Sequence, residues 1–143
     1  MAGGTAAIML HHPNDAAIRA RVKSMLEKLK ADPHNGIARV LEGDAIHKLG
    51  GFPNAAFVVE LKVGYQLGSA RIGALVTPAP STGMHGYLPD RPEMRASLFL
   101  LGRGIARGRN LGLVDMRRIA PTLASILKVQ FPTAPEPPLN VSP

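Results

Sequence analysis

The sequence predicts a mixed α/β or α+β domain, and three observations lead there. Short apolar, β-branched runs recur along the chain, helical periodicity appears between them, and turn residues mark the boundaries. With 143 residues the chain has the size of one ordinary domain or of a piece of a larger one. Hydrophobic residues make up 45% and charged residues 19%, which supports a packed core and argues against disorder. Aromatics are only 4% and Trp is absent, so that core must come from aliphatic side chains and Met.

Residues 6–10, Ala-Ala-Ile-Met-Leu, predict a short buried strand that stops at His11-His12-Pro13. Asn14 or Asp15 then caps a helix running to about Lys30. Ala17, Ile18, Val22, Met25, Leu26 and Leu29 recur at spacings of three and four and form one apolar face. Asp32-Pro33-His34-Asn35-Gly36 reads as a stop and turn, and residues 37–41 as a second strand. Gly43-Asp44 precedes a helical turn over 45–49 that ends at Gly50-Gly51. Residues 57–61, Phe-Val-Val-Glu-Leu, predict a third strand, and 65–67 is a candidate fourth.

Apolar residues resume over 70–77. Residues 78–90 form a long connection rich in Pro, Gly, Ser and Thr, a kind of loop uncommon in compact domains unless it carries a site or is mobile. Residues 96–101 are continuously apolar and predict a strand buried on both faces. A second amphipathic helix is expected over 115–127, with Met116, Ile119, Leu123, Ile126 and Leu127 on its apolar side; Pro121 divides that span, so the helix proper is expected to start near Ile119 or Ala120 with Pro121 in its first turn. The organisation expected is one domain portion over 1–132 and a Pro-rich tail over 133–143.

The net charge of +7 and pI near 10.4 suit a nucleic acid, an anionic membrane surface or a phosphate-bearing substrate, and equally a piece cut away from an acidic remainder. The absence of Cys excludes disulfides and thiolate metal sites. The apolar run near the N-terminus has no basic segment before it and does not read as a signal peptide. No apolar stretch approaches the roughly 20 residues of a membrane helix, so no membrane partner is expected. The compartment stays open.

The long loop holds the sequence Ser81-Thr82-Gly83-Met84-His85-Gly86-Tyr87-Leu88-Pro89-Asp90. Glycines on both sides of a His let the backbone approach a site closely, and neutral imidazole is the commonest protein metal ligand. Its second nitrogen usually needs an acceptor, for which Asp90 and Glu93 are the nearby candidates. A loop His is nonetheless more often simply solvated. Ser81 and Thr82 are hydroxyl nucleophiles in type, but no base is placed by the sequence to activate them. His11 and His12 are adjacent on an extended chain and point to opposite faces, which fits turn residues better than a metal pair. His34 and His47 have no ligand partner at a telling spacing.

The stretch 102–110 carries Arg103, Arg107 and Arg109 among glycines. Arginines so placed can follow phosphates, but stacking aromatics are absent, which favours a surface loop over a nucleic-acid contact. Arg117 and Arg118 read as the solvated face of their helix.

Gly83-Met84-His85-Gly86-Tyr87, followed by Pro89, Pro92-Glu93-Met94-Arg95-Ala96, Phe99, Gly102 and Gly104-Ile105, resembles the C-terminal signature of type I phosphodiesterases and nucleotide pyrophosphatases of the alkaline phosphatase superfamily. Asp115-Met116 and Ile119-Ala120-Pro121-Thr122-Leu123-Ala124, with Leu127 and Pro132, match the helix that follows in that family. Ala2-Gly3-Gly4-Thr5-Ala6-Ala7-Ile8 resembles the stretch a little after the family's Asp-His-Gly motif. The Gly-x-His-Gly-Tyr stretch with its downstream Pro-Glu-Met-Arg-Ala is the more specific part of the match.

The resemblance implies part of an alkaline-phosphatase-like sheet with flanking helices. It implies a two-zinc hydrolase whose Thr or Ser nucleophile attacks a phosphoester substrate, with His85 as one zinc ligand. The sequence departs from the family in having no Asp-His-Gly, no second ligand cluster and no nucleophile motif, and in reading Leu127-Lys128 where relatives usually have Leu-Gly. The expectation is therefore a portion that is inactive alone and holds zinc weakly or not at all, and that self-associates through unpaired strand edges. The alternative from another class is a basic, non-enzymatic module that binds nucleic acid or an acidic partner.

Overall fold

The computed structural model describes residues 3–80 and 83–143. The chain divides after Ala96 into two compact units. The first holds three strands, β1 (Thr5–Ile8), β2 (Ile37–Leu41) and β3 (Phe57–Leu61), and two helices, α1 (Ala16–Ala31) and α2 (Asp44–His47). The sheet is antiparallel in the order β1-β3-β2. Helices beside an antiparallel sheet make the class α+β rather than α/β.

α1 begins where Asp15, in extended conformation, accepts a hydrogen bond from the Ile18 N–H at 2.9 Å, satisfying one of the free donors of the first turn. It ends at Asp32, whose carboxylate accepts from the His34 N–H to start a single 3-10 turn, Pro33–Asn35. Gly36 then closes the turn in the left-handed region, at φ +66°. Its missing Cβ matters twice, because any side chain there would also overlap the Tyr65 ring.

β3 is central, and all five of its residues are buried. Side chains alternate along a strand, so it faces two layers. Phe57, Val59 and Leu61 pack with Leu26 of α1, joined by Val22, Ile8, Ile37 and Val40. Val58 turns the other way, against Ile46 of α2 and Leu88. Leu88 is fully buried although it belongs to the long loop, so residues near it form the second cover of the sheet. The 65–67 segment pairs only in part: the Leu67 N–H donates to the Gly3 carbonyl at 2.8 Å without forming a ladder.

The second unit, 97–143, contains one regular helix, α3 (Ile119–Leu127), entered through a 3-10 turn at Met116–Arg118 that Asp115 caps. Pro121 lies in the first turn of α3, as its missing N–H allows. The Pro-rich C-terminal stretch folds back on it: Arg118 donates to the carbonyls of Pro137 and Pro138, the Leu139 N–H donates to Thr122 Oγ1, and Val141 is buried.

Two expectations are corrected. Residues 96–101 form no strand and are not buried: Phe99 is 84% and Leu101 95% exposed. A strand is held by ladder bonds to a neighbour, and among the described residues no backbone hydrogen bond reaches this segment. Residues 70–77, for which the sequence predicts no element, adopt no regular structure, and Ile72 is 92% exposed. α3 has its expected span, but Met116, Leu123, Ile126 and Leu127 are exposed while Pro121 and Thr122 are buried.

Candidate functional site

The site residues lie on the second face of the sheet in the first unit. Strand register sets Thr5 opposite Glu60 on one side and Arg39 opposite Glu60 on the other. Residues directly opposite one another point to the same face, so Thr5, Glu60 and Arg39 make a row running across all three strands. The loop lies over this row. Thr5 Oγ1 donates to the Gly86 carbonyl at 2.7 Å. Glu60 Oε1 accepts from the Leu88 N–H at 3.1 Å and from Arg91 Nε at 2.6 Å. Glu60 Oε2 accepts from Arg39 Nε at 2.6 Å, and the two Nη groups of Arg39 grip both oxygens of Asp90 at 2.7 Å each.

Glu60 is fully buried, and burial is the largest influence on its carboxyl, opposing ionisation. The Arg39 and Arg91 guanidiniums and the Leu88 N–H together outweigh that and hold it below the usual carboxylate range. The Arg39 fork holds Asp90 low in the same way. Both arginines are driven further toward the charged form, Arg39 chiefly by Asp90 and then Glu60, and Arg91 chiefly by Glu60. Arg91 also sits over the Tyr87 ring, 5.3 Å from its centroid, and the Tyr87 hydroxyl donates to the Tyr65 carbonyl at 2.8 Å.

His85 lies within this loop, one residue before its anchored part, and is exposed. Its carbonyl accepts from the Gly4 N–H at 3.2 Å. Gly3 and Gly4 are what permit that approach: a Cβ on Gly3 would stand 2.8 Å from the His85 carbonyl oxygen, and one on Gly4 would overlap the Tyr87 ring. Asp90 is committed to Arg39, and Glu93 sits exposed in a 3-10 turn, Pro92–Met94. Neither makes a hydrogen bond to the His85 ring among the described residues. Nor do three His, Asp or Glu side chains converge anywhere among the described residues in a way that could hold a metal ion. One exposed imidazole is too few donors for zinc, which takes three or four protein ligands, so the described residues do not complete a zinc site.

The other candidates are dispersed. His11 and His12 are exposed and stack edge to face at 4.5 Å between ring centroids. His34 is paired with Asp32 in its turn, and His47 is exposed on α2. Ser81 and Thr82 lie outside the described residues. Arg103, Arg107 and Arg109 are exposed in the second unit. Two shallow depressions run along the outer side of α1, one lined by Arg21, Ser24, Met25, Lys28 and Leu29; neither includes His85. No helix among the described residues is long and apolar enough to cross a membrane.

Sequence reasoning missed Glu60, Arg39 and Arg91. The available signal was a single acid inside an otherwise apolar strand, which needs a cationic partner if the strand is central. Comparison with protein-family models gives no match, and neither curated proteins nor solved structures include a match to the chain.

Proposed function

We propose that this chain is the C-terminal portion of a metal-dependent phosphoric ester hydrolase of the phosphodiesterase or nucleotide pyrophosphatase type, to which it contributes the metal ligand His85. One observation supports the reading above the others. The two separate stretches that carry the resemblance, Gly3-Gly4-Thr5 and Met84-His85-Gly86-Tyr87, lie against each other, with Gly4 N–H on the His85 carbonyl and Thr5 Oγ1 on the Gly86 carbonyl. Ligands carried a little upstream of Gly3, where the resemblance locates the Asp-His-Gly motif, would arrive beside His85.

The test uses the protein extended upstream of Ala2, assayed for hydrolysis of a nitrophenyl phosphodiester with added zinc. Loss of a ligand is expected to lower the rate of His85→Ala by at least about a hundredfold. His85 is exposed, so its removal should leave thermal stability within roughly 0.5 kcal/mol of wild type, which separates a site effect from a folding effect. Equal hydrolysis by wild type and variant would refute the reading.

The exposure of Arg103, Arg107 and Arg109 favours a second reading, a basic module that binds nucleic acid. Salt-sensitive RNA binding by the 143-residue chain, lost when all three are replaced by Ala, would support it in place of the first.

A further inference from the structure

The row across the sheet does more than neutralise a buried charge. Its three side chains engage the loop in step with the loop's own sequence: Thr5 at Gly86, Glu60 at Leu88 and Arg91, Arg39 at Asp90. Tyr87 is tied separately through its hydroxyl to Tyr65. Every residue from 86 to 91 except Pro89 is therefore held by a hydrogen bond to a strand or to the segment after β3. His85 hangs from the first of these anchored residues, its own carbonyl fixed by Gly4.

The geometry points to Glu60 as a positioning residue for His85. We propose that its carboxylate, fixed by Arg39 and Arg91, sets the path of residues 86–91 and through it the aim of the imidazole. Of the row, only Glu60 reaches the loop at two points, a main-chain N–H and a guanidinium, and is itself fully buried with a cation on each oxygen. An anchor of this kind keeps a ligand within the narrow tolerances a functional site needs. The inference rests on the proposed function for what His85 does there, but the positioning is measurable without any metal.

The test is amide hydrogen exchange by NMR on the 143-residue chain and on Glu60→Gln, which keeps the shape and removes the charge. Loss of charge-assisted bonds should speed exchange at Leu88, Arg91 and Gly4 by roughly tenfold to a hundredfold relative to Val58 and Val59. If Glu60→Gln does not fold, Arg91→Met decides, because Glu60 then keeps Arg39; the same localised acceleration is expected. Arg91→Lys, which restores a cation beside Glu60, should recover most of the protection. Acceleration by one common factor in loop and sheet, or none in the loop, overturns the proposal. A failed hydrolysis test with His85→Ala would leave these exchange rates untouched, so the two ideas fail separately.

Discussion

Removing both cations that hold Glu60 should reverse the pH dependence that this group imposes on stability. In wild type its carboxyl lies below the ordinary value, so the stability it contributes is present above the unfolded value, about 4.3, and is lost as pH falls through the lower folded value. In Arg39→Met/Arg91→Met the fully buried carboxylate keeps only the Leu88 N–H. Burial then dominates and the folded value rises above 4.3. A raised carboxyl costs nothing below the unfolded value and destabilises progressively as pH rises toward the folded one. Leaving a buried charge unpaired costs about 3–5 kcal/mol. Removing Arg39, whose side chain is 37% exposed, recovers little desolvation, and removing Arg91, at 19%, recovers more but not enough to offset a fully buried carboxylate left without a cation. Asp90 also loses its partner, but at 49% exposure water replaces it. Urea unfolding should therefore show a gap between wild type and variant of about 4 kcal/mol at pH 7, narrowing to roughly 1–2 kcal/mol at pH 4. A variant that folds only at the lower pH would agree with the same account. An equal gap at both values would refute it, and the carboxylate would have to be solvated or otherwise compensated.

Two further outcomes follow from local geometry. Gly4→Ala should destabilise the first unit by about 1–3 kcal/mol in thermal melting, since its Cβ would overlap the Tyr87 ring; an unchanged melting temperature would mean that the ring is free to move aside. Asp15→Ala should cost about 1 kcal/mol by chemical denaturation through loss of the cap on the Ile18 N–H, with Asp15→Ser restoring most of it; no recovery with Ser would place the effect elsewhere.

Elements governed by neighbouring residues were legible in the sequence. The bounds predicted for β2 and β3 match those observed, α1 ends within a residue of its predicted stop, and β1 begins one residue before its predicted start and ends at Ile8 rather than Leu10. Periodicity, Asp15 and the Asp32–Gly36 turn are local signals, and local rules read them. The pairing β1-β3-β2 was not legible, because the order depends on which segments distant in sequence meet, as Thr5 and Arg39 both meet Glu60. Residues 96–101 show the converse: an apolar run satisfies the composition of a strand but cannot supply its partner. At the site, His85 and its glycines stood out by type and spacing. The row beneath it did not, since Thr5, Arg39 and Glu60 become neighbours only once the register is known. Asp90, read as an acceptor for His85, is instead taken up by an arginine two strands away in sequence order, and nothing near residue 90 announces that.

Glu60 is also where fold and site meet. A central strand with a layer on each face ordinarily carries apolar residues at every position, and Phe57, Val58, Val59 and Leu61 obey that rule. A carboxylate among them is tolerable only if whatever covers that face brings its own donors. A purely apolar cover would leave the charge unpaired, and an open face would leave Val58 and Leu88 wet. The loop meets both demands, inserting Leu88 as a plug while presenting its N–H and Arg91 to the carboxylate. A segment without regular structure is thereby given one conformation by the strand beneath it. The specificity comes from charge, since an apolar side chain can slide to a neighbouring hollow but a paired carboxylate cannot abandon its donors cheaply. That is why the loop can carry an exposed, glycine-flanked His and still keep the main chain beside it on one path.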